Sequence, residues 1–144
     1  MRTASWLRIA AGLTTVQLLG HVFGAVLAGP TQGAEEVALR DAMREYRVTA
    51  MGMERTYWDF YFGSGWIITA FLAMLVAVIW WTARIAQDAP MLARPLVASL
   101  AIGYAAVTVI CAIFFVTAPI VIAATITACL VASFLTLNDA RGGA

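Results

Sequence analysis

An uninterrupted apolar run occupies residues 62–82, FGSGWIITAFLAMLVAVIWWT, which contain no Asp, Glu, Lys or Arg. A helix that crosses the hydrocarbon core of a bilayer needs about 20 mostly apolar residues. Three further runs meet this requirement. The four predicted membrane-spanning helices are Trp6–Ala28, Phe62–Thr82, Met91–Val116 and Pro119–Leu137. The sequence therefore predicts an all-α integral membrane protein that folds as a four-helix bundle.

Composition supports this class. Of the 144 residues, 62% are hydrophobic and 12% are charged, whereas soluble domains average about 45–50% apolar and 25% charged residues. These values exclude a disordered chain, a disulfide scaffold and a soluble enzyme with a compact core. The length predicts one membrane domain, residues 1–144. The net charge of only +1 makes nucleic acid an unsuitable partner.

The connections between the runs predict the topology. Only Thr117 and Ala118 separate the last two runs, which predicts a tight antiparallel hairpin. With four spans, both termini lie on the side that collects arginines, and arginines favour the cytoplasm. These arginines are Arg2, Arg8, Arg84, Arg94 and Arg141. The first run is longer than a cleaved secretion signal, and we expect it to remain as a span. The predicted location is the bacterial inner (plasma) membrane, with both termini cytoplasmic.

The first extracytoplasmic loop is predicted to contain an amphipathic helix over residues 34–57, after the turn residues 29–33. Its apolar residues recur at roughly helical spacing. They are Val37, Met43, Tyr46, Ala50 and Met53. Such a helix either lies on the bilayer surface and caps the bundle, or acts as a lid over an extracytoplasmic pocket.

Polar residues inside the first run share one helical face: Thr14, Gln17, His21 and Gly24. Polar groups in a membrane are costly unless they face the bundle or a wet cavity, so this face is predicted to point inward. His21 has two interpretations. It is either a core histidine that bonds to a carbonyl or to Gln17, or a general base or ligand contact.

A dense polar and aromatic cluster occupies residues 54–66, where the loop enters the second run. An aromatic girdle at the interface accounts for its aromatic residues but not for Asp59, which shares a face with Gly63 and Trp66. His21 and Asp59 are therefore the candidate catalytic pair, with Asp59 or Glu54 orienting the histidine. The candidate ligand-binding residues are Gln17, Glu54, Arg55, Tyr57, Tyr61, Trp66, Tyr104 and Thr108. For Arg55, pairing with Glu54, with Asp59 or with a bound anion stays open.

Cys111 and Cys129 both lie within apolar runs and form no Cys-x-x-Cys pair. Small buried hydrophobes are the ordinary interpretation of such cysteines. The residues His21, Glu54, Asp59 and Cys111 have no recognisable ligand spacing, so no metal site is predicted. The sequence identifies no cofactor.

Three segments carry a resemblance to a known family: Gly20-His21-Val22-Phe23-Gly24, Met51-Gly52-Met53 and Asp59–Gly65. In these and in its span pattern the chain resembles a family of small bacterial four-helix membrane proteins. More distantly it is similar to DoxX-like and anthrone-oxygenase-like proteins. The second similarity implies chemistry on an aromatic polyketide or a quinol-like substrate. It transfers no catalytic residue to this sequence.

Two functions are expected from these features. In the first, an outer-leaflet pocket at His21 and Asp59 binds a quinone, an isoprenoid or a lipid, with proton transfer or redox chemistry as an option. In the second, the chain is a non-catalytic subunit or assembly factor that packs against another membrane protein or a second copy of itself. Its contacts would be Gly20-x-x-x-Gly24, Ser99-x-x-x-Gly103 and the charged segment Glu36–Arg55. Whether the chain is an enzyme is left open.

Overall fold

A computed structural model describes residues 2–142 of the chain, and side chains for residues 3–137. The described residues form five α-helices, one π-helical segment and one antiparallel hairpin. In order these are α1 Arg2–His21, the π-helical segment Val22–Val26, α2 Ala34–Glu45, β1 Arg47–Ala50, β2 Met53–Thr56, α3 Tyr57–Asp88, α4 Pro90–Phe114 and α5 Thr117–Gly142. The side chains of Arg2 and Arg141, used in the predicted orientation, and residues 1, 143 and 144 lie outside this described set.

Four of the helices are long and apolar enough to cross a membrane, which confirms the number and approximate position of the predicted spans. The predicted and observed bounds differ most for α3, which has 32 residues, whereas the predicted span covered only Phe62–Thr82. The predicted span ended where charged residues interrupt the hydropathy, close to Asp59 and Arg84. The backbone hydrogen bonds of α3 continue past both residues, because a helix does not have to end where its apolar run ends.

The chain divides into two compact units, of which the first comprises residues 1–17 and 72–144. Its core packs large aliphatic side chains against alanines. Members of this core are Leu7, Ala10, Ala11, Ile79, Ala83, Val97, Tyr104, Ile126 and Leu130. Many other apolar side chains on these helices point outward and are exposed, such as Ile102 and Ile113. Exposed apolar helix surfaces of this kind suit contact with lipid.

Threonine and tyrosine hydroxyls join the helices of the first unit. The Tyr104 hydroxyl donates to Thr14 Oγ1 at 3.0 Å, and Thr14 Oγ1 donates to the carbonyl of Ala10 at 2.9 Å. The hydroxyls of Thr108 and Thr127 lie 3.1 Å apart, across α4 and α5. Each polar group is thereby satisfied inside the protein, as an apolar surrounding requires.

Helices α4 and α5 form the predicted tight hairpin. Only Phe115 and Val116 connect them, and the amide of Phe115 donates to the carbonyl of Cys111 at 2.9 Å. Pro119 lies in the first turn of α5, where a missing N–H leaves no helical bond unmade.

The second unit comprises residues 18–71, and here the predicted loop helix is too long. Helix α2 ends at Glu45, and residues 47–56 form the β1–β2 hairpin instead, so Ala50 and Met53 face each other across strands. The connecting residues Met51 and Gly52 both have positive φ, at 52° and 78°. Two-residue hairpin turns need this conformation, and glycine adopts it without strain. The chain is therefore predominantly helical rather than all-α, and the amphipathic role of α2 stays a prediction.

Glu36 in α2 anchors the turn that precedes the helix. Its Oε2 accepts hydrogen bonds from the amides of Thr31 at 2.7 Å and Gln32 at 2.8 Å, while Oε1 accepts from Arg40. Arg40 also donates to the carbonyls of Ala28 and Gly29. The two amide bonds, together with Arg40, hold the pKa of Glu36 below its ordinary value of 4.5.

We expect acid to release this turn. Because the pKa of Glu36 is lower in the folded chain, its contribution to stability is complete above pH 4.5 and is lost as the pH falls through the lower folded value. Amide proton shifts of Thr31 and Gln32, followed by NMR in detergent, should therefore move with a midpoint below 4.5.

Glu36→Gln should abolish that titration. Glu35→Gln is the matched control, because the neighbouring carboxylate of Glu35 does not receive these two amides, and it should leave the titration in place. A midpoint at or above 4.5 in the wild-type chain would contradict the anchoring role of Glu36.

Candidate functional site

The contact between His21 and Gly65 joins the end of α1 to α3 within the second unit. His21 is the last residue of α1 and is partly buried, and its Nε2 lies 2.9 Å from the carbonyl oxygen of Gly65 in α3. A carbonyl oxygen only accepts hydrogen bonds, so Nε2 must carry the proton. In the neutral imidazole, Nδ1 is then an unprotonated acceptor. The arrangement fixes the tautomer of His21 and leaves one basic nitrogen available.

Gly65 allows the two helices to approach each other closely. A Cβ atom at this position would lie 3.2 Å from Cγ2 of Val26, closer than ordinary van der Waals contact. Its carbonyl oxygen also accepts a hydrogen bond from the hydroxyl of Thr69 at 3.0 Å. We refer to His21, Val26, Gly65 and Thr69 as the His21 contact.

The π-helical segment begins directly after His21. It spans Val22–Val26, and the amide of Leu27 donates to the carbonyl of Val22, five residues earlier, at 2.8 Å. π-Helical turns are rare and occur frequently at functional sites. Here the wider turn ends in Val26, which is buried and faces Gly65. The segment thus brings the Val26 side chain against Gly65, next to the carbonyl that His21 contacts.

Asp59, the predicted partner of His21, caps α3 instead. Its Oδ2 accepts from the amide of Thr56 at 2.8 Å, and its own amide donates to Thr56 Oγ1 at 3.1 Å. This reciprocal pair is a capping box with aspartate in the third helical position. Gly65 lies six residues further along the helix, roughly 9 Å at the ordinary helical rise. Within the described side chains, no hydrogen bond joins Asp59 to His21.

Glu54 and Arg55 both lie on the exposed strand β2. The Glu54 carboxylate pairs with Arg47 across the hairpin at 3.3 Å, and Nη1 of Arg55 donates to the backbone carbonyl of Glu54 at 2.8 Å. Of the three partners left open for Arg55, the structure therefore shows Glu54, through its carbonyl rather than its carboxylate. Neither residue bonds to His21 in the part of the chain that the structure describes.

Aromatic rings form a ladder along the start of α3. Trp58 stacks on Phe62 at 5.9 Å and lies 5.6 Å from Tyr61, and Phe62 meets Trp66 edge-on at 6.1 Å. Tyr57 contacts Tyr46 at 5.8 Å. The ladder continues to Trp66, the residue next to Gly65. Two predicted ligand-binding residues, Tyr61 and Trp66, thus belong to the ladder, whereas Tyr57 forms a separate pair with Tyr46.

Trp58 has a role that the sequence analysis missed. The guanidinium carbon of Arg44 lies 4.6 Å from the Trp58 ring centre, and that of Arg40 lies 5.8 Å from it. These are cation–π contacts, which attach α2 to α3. The only signal in the sequence was the spacing of Arg40 and Arg44, one turn apart on the predicted loop helix.

The remaining predicted residues belong to the first unit. Tyr104 and Thr108 are engaged in the hydroxyl bonds described above. Gln17 differs: its Oε1 is buried and has no hydrogen-bond partner among the described residues. No group of three or more His, Cys, Asp or Glu side chains in residues 3–137 is placed to hold a metal ion.

Comparisons with known proteins assign no family. No protein-family model matches the chain, and no curated protein or solved structure gives a significant match. The similarity to DoxX-like and anthrone-oxygenase-like proteins stays a prediction. Function is therefore inferred from the residues of the His21 contact.

Glycine-to-alanine substitutions should separate the close approach at Gly65 from helix propensity. Alanine stabilises a helix interior by about 1 kcal/mol over glycine. A Cβ at Gly63 would meet no atom within 4 Å, so Gly63→Ala should raise the unfolding temperature in detergent. Gly65→Ala should unfold at a lower temperature than Gly63→Ala, because overpacking typically costs about 1–3 kcal/mol.

The double variant Gly65→Ala with Val26→Ala tests the cause of this difference. Removing the Val26 methyl groups makes room for the new Cβ, so the cost of Gly65→Ala should be smaller on the Val26→Ala background. Equal stabilisation by Gly63→Ala and Gly65→Ala would show that Val26 and α3 are not closely packed.

Proposed function

We propose that this chain is a multi-pass membrane protein that binds an apolar or amphipathic small molecule with a hydroxyl group beside His21. A quinol, an isoprenoid alcohol and a hydroxylated lipid have this chemistry. Four helices that are long and apolar enough to span a membrane support the proposed membrane location. The distribution of arginines favours both termini in the cytoplasm and the α2–hairpin segment outside, and the resemblance to small bacterial membrane proteins implies the plasma membrane.

The hydrogen bond from His21 Nε2 to the Gly65 carbonyl carries the proposal. It holds the imidazole in one orientation and leaves Nδ1 as an acceptor for a ligand hydroxyl. In an apolar surrounding such a bond contributes more to recognition than in water, because the unpaired alternative is costly. His21 is partly exposed, so a ligand has access to the ring.

The same geometry suits proton transfer. A proton that leaves a ligand hydroxyl can pass to Nδ1, while Nε2–H remains bonded to the Gly65 carbonyl. The partial negative charge of that oxygen stabilises the resulting imidazolium. Asp59 is not needed for this step, since its carboxylate is engaged in the cap of α3.

The aromatic ladder supplies an apolar surface near this position. Trp66 follows Gly65 in α3 and is 43% exposed, and the ladder leads from it to Trp58. Flat rings of this kind pack well against a quinol ring or an isoprenoid chain. Arg44 attaches α2 to Trp58, which supports the proposal that α2 acts as a lid at that end of the ladder.

A set of His21 variants tests the proposal. His21→Gln keeps an amide N–H that can reach the Gly65 carbonyl. Its acceptor, Oε1, lies on the same amide group and does not take the position of Nδ1 while the N–H bonds to Gly65, whereas His21→Ala lacks both groups. We expect protein purified gently from native membranes to retain a hydroxyl-bearing compound, detected by absorbance and by mass spectrometry of the organic extract. Loss of one hydrogen bond of about 1.4 kcal/mol corresponds to a tenfold weaker retention in His21→Gln.

His21→Gln should at the same time keep the wild-type unfolding temperature. This separates loss of the ligand from loss of the fold. Equal recovery of the same compound from wild type and His21→Gln would contradict a ligand contact at Nδ1.

The alternative function, a non-catalytic subunit or assembly factor, is favoured by one observation. A Cβ on Gly20, Gly24 or Gly103 would meet no atom within 4 Å. Within each unit, these glycines of the small-residue faces therefore have no close neighbour among the described residues. Faces of this kind allow a helix of another membrane protein to approach closely.

Gly24→Leu tests this alternative. In a subunit, the leucine should block close approach and abolish recovery of a partner, or of a second copy, by cross-linking in native membranes. Ala25→Leu is the matched control, because the adjacent exposed position lies on a different face. Unchanged cross-linking in Gly24→Leu would count against the subunit function.

A further inference from the structure

The two edges of the β1–β2 hairpin differ in how their backbone groups are satisfied. Beyond the first strand pair, Arg47 and Thr56, the amide of Tyr57 donates to the carbonyl of Tyr46 at 3.0 Å. Hydrogen-bonded pairs alternate along an antiparallel ladder, so every second residue from Tyr46 onward bonds to β2. The N–H and C=O groups of Arg47 and Thr49 therefore point away from β2.

The outer edge of β2 is blocked by contacts within the chain. The outward amide of Thr56 donates to Oδ2 of Asp59 at 2.8 Å. The outward carbonyl of Glu54 accepts from Nη1 of Arg55, also at 2.8 Å. Helix α2 contacts β2 as well. A strand that approached this edge would have to displace these contacts.

The outer edge of β1 is open. Arg47 and Thr49 are exposed, and the described residues supply no partner for the outward backbone groups of either one. Arg47 pairs with Glu54 through its side chain only. An open edge of this kind is a template for a further strand. A hairpin of two strands is also smaller than the sheets of three or more strands that are stable by themselves.

Exposed apolar side chains accompany this edge. Tyr46 has an extended backbone and is 63% exposed, and Met53 is 57% exposed. Because side chains alternate along a strand, Tyr46, Val48 and Ala50 share one face of the hairpin. Their size falls along the chain from a large ring to a single methyl group. A second copy of the edge, turned by a two-fold axis, would place the large residue beside the small one.

We propose that β1 pairs antiparallel with β1 of a second copy of this chain, across a two-fold axis at Val48. The two hairpins then form one four-stranded sheet. In this register Arg47 lies opposite Thr49 of the second copy, and the two residues exchange backbone hydrogen bonds. A shift that placed Arg47 opposite its own copy would bring like charges together. A shift that placed Thr49 opposite its own copy would leave the outward groups of Arg47 unpaired.

A second copy fits this edge because the edge is complementary to itself. The two-fold axis places Tyr46 of each chain beside Ala50 of the other and directs its ring toward Met53, a favourable contact of sulfur with an aromatic ring. The outer edges of the new sheet are both β2, which is blocked, so assembly closes at the dimer. The pairing does not rest on the proposed ligand at His21.

Disulfide formation at position 48 tests this pairing in the full chain. Opposed residues of a non-hydrogen-bonded antiparallel pair have Cα atoms about 4.5 Å apart, within the range that a disulfide spans. Val48→Cys, mildly oxidised in native membranes, should therefore run as a covalent dimer on a non-reducing gel. Wild type, whose Cys111 and Cys129 are buried, should run as a monomer.

Arg55→Cys is the matched control, because Arg55 lies directly opposite Val48 on β2. In the proposed sheet the two copies of position 55 are three strand spacings apart, roughly 14 Å, which is beyond the reach of a disulfide. This variant should give less than about a tenth of the covalent dimer. Equal amounts of dimer from Val48→Cys and Arg55→Cys would overturn the proposal, because they would show random collision.

Proline tests the backbone hydrogen bonds, on the Val48→Cys background. Thr49→Pro removes an outward N–H from β1, and proline is tolerated where an edge N–H faces solvent. The dimer loses one hydrogen bond from each copy, so its yield should fall about tenfold at an unchanged unfolding temperature. Glu54→Pro is the matched control: it lies opposite Thr49 on the blocked edge and should keep the dimer.

Three results of these experiments would overturn the proposal. An equal loss in Thr49→Pro and Glu54→Pro would show dependence on the hairpin as a whole rather than on the edge of β1. A dimer that persists in Thr49→Pro but disappears in Gly24→Leu would show pairing through the glycine faces. A different polypeptide bound at position 48 would show another protein on the edge. If Thr49→Pro does not fold, the comparison of Val48→Cys with Arg55→Cys decides.

Discussion

The hydrogen bond between His21 and the Gly65 carbonyl is the interaction on which the second unit depends. It joins positions 44 residues apart and requires a histidine at the end of α1, a π-helical turn that presents Val26, and a glycine in α3. The bond forms because the imidazole of His21 is costly in an apolar surrounding unless it is hydrogen-bonded. The threonines of the first unit meet the same need locally, through carbonyls of their own helices, whereas an imidazole at this position takes a partner from another helix.

The glycines show why this contact differs from ordinary small-residue packing. The chain has several glycines in its apolar helices, yet a Cβ would crowd a neighbour only at Gly65 among those that the structure describes. Gly20, Gly24 and Gly63 face open space. Spacing alone favoured Gly20 and Gly24 as packing positions. The close approach is instead found where the Gly-Ser-Gly stretch of α3 meets the π-helical segment.

The sequence predicted the four long helices because apolar runs of this length have few alternatives in a bilayer. It predicted the loop poorly, although two local signals were available: Val48 and Thr49 favour a strand, and Gly52 favours a turn with positive φ. The Thr56–Asp59 capping box was also readable and would have removed Asp59 from the candidate pair. The partner of His21 was not readable, since a backbone carbonyl leaves no mark on the sequence and the contact is long-range.

The hydrogen bond to Gly65 restricts the chemistry of the ligand proposed at His21. Nε2 donates to the Gly65 carbonyl, so Nδ1 is an acceptor. In an apolar surrounding an acceptor without a donor is costly, so a ligand that brings a hydroxyl relieves a cost that a molecule with acceptors alone, such as an oxidised quinone, does not. The proposed site should therefore bind the reduced, hydroxyl-bearing form more tightly, with Nδ1 placed to accept its proton.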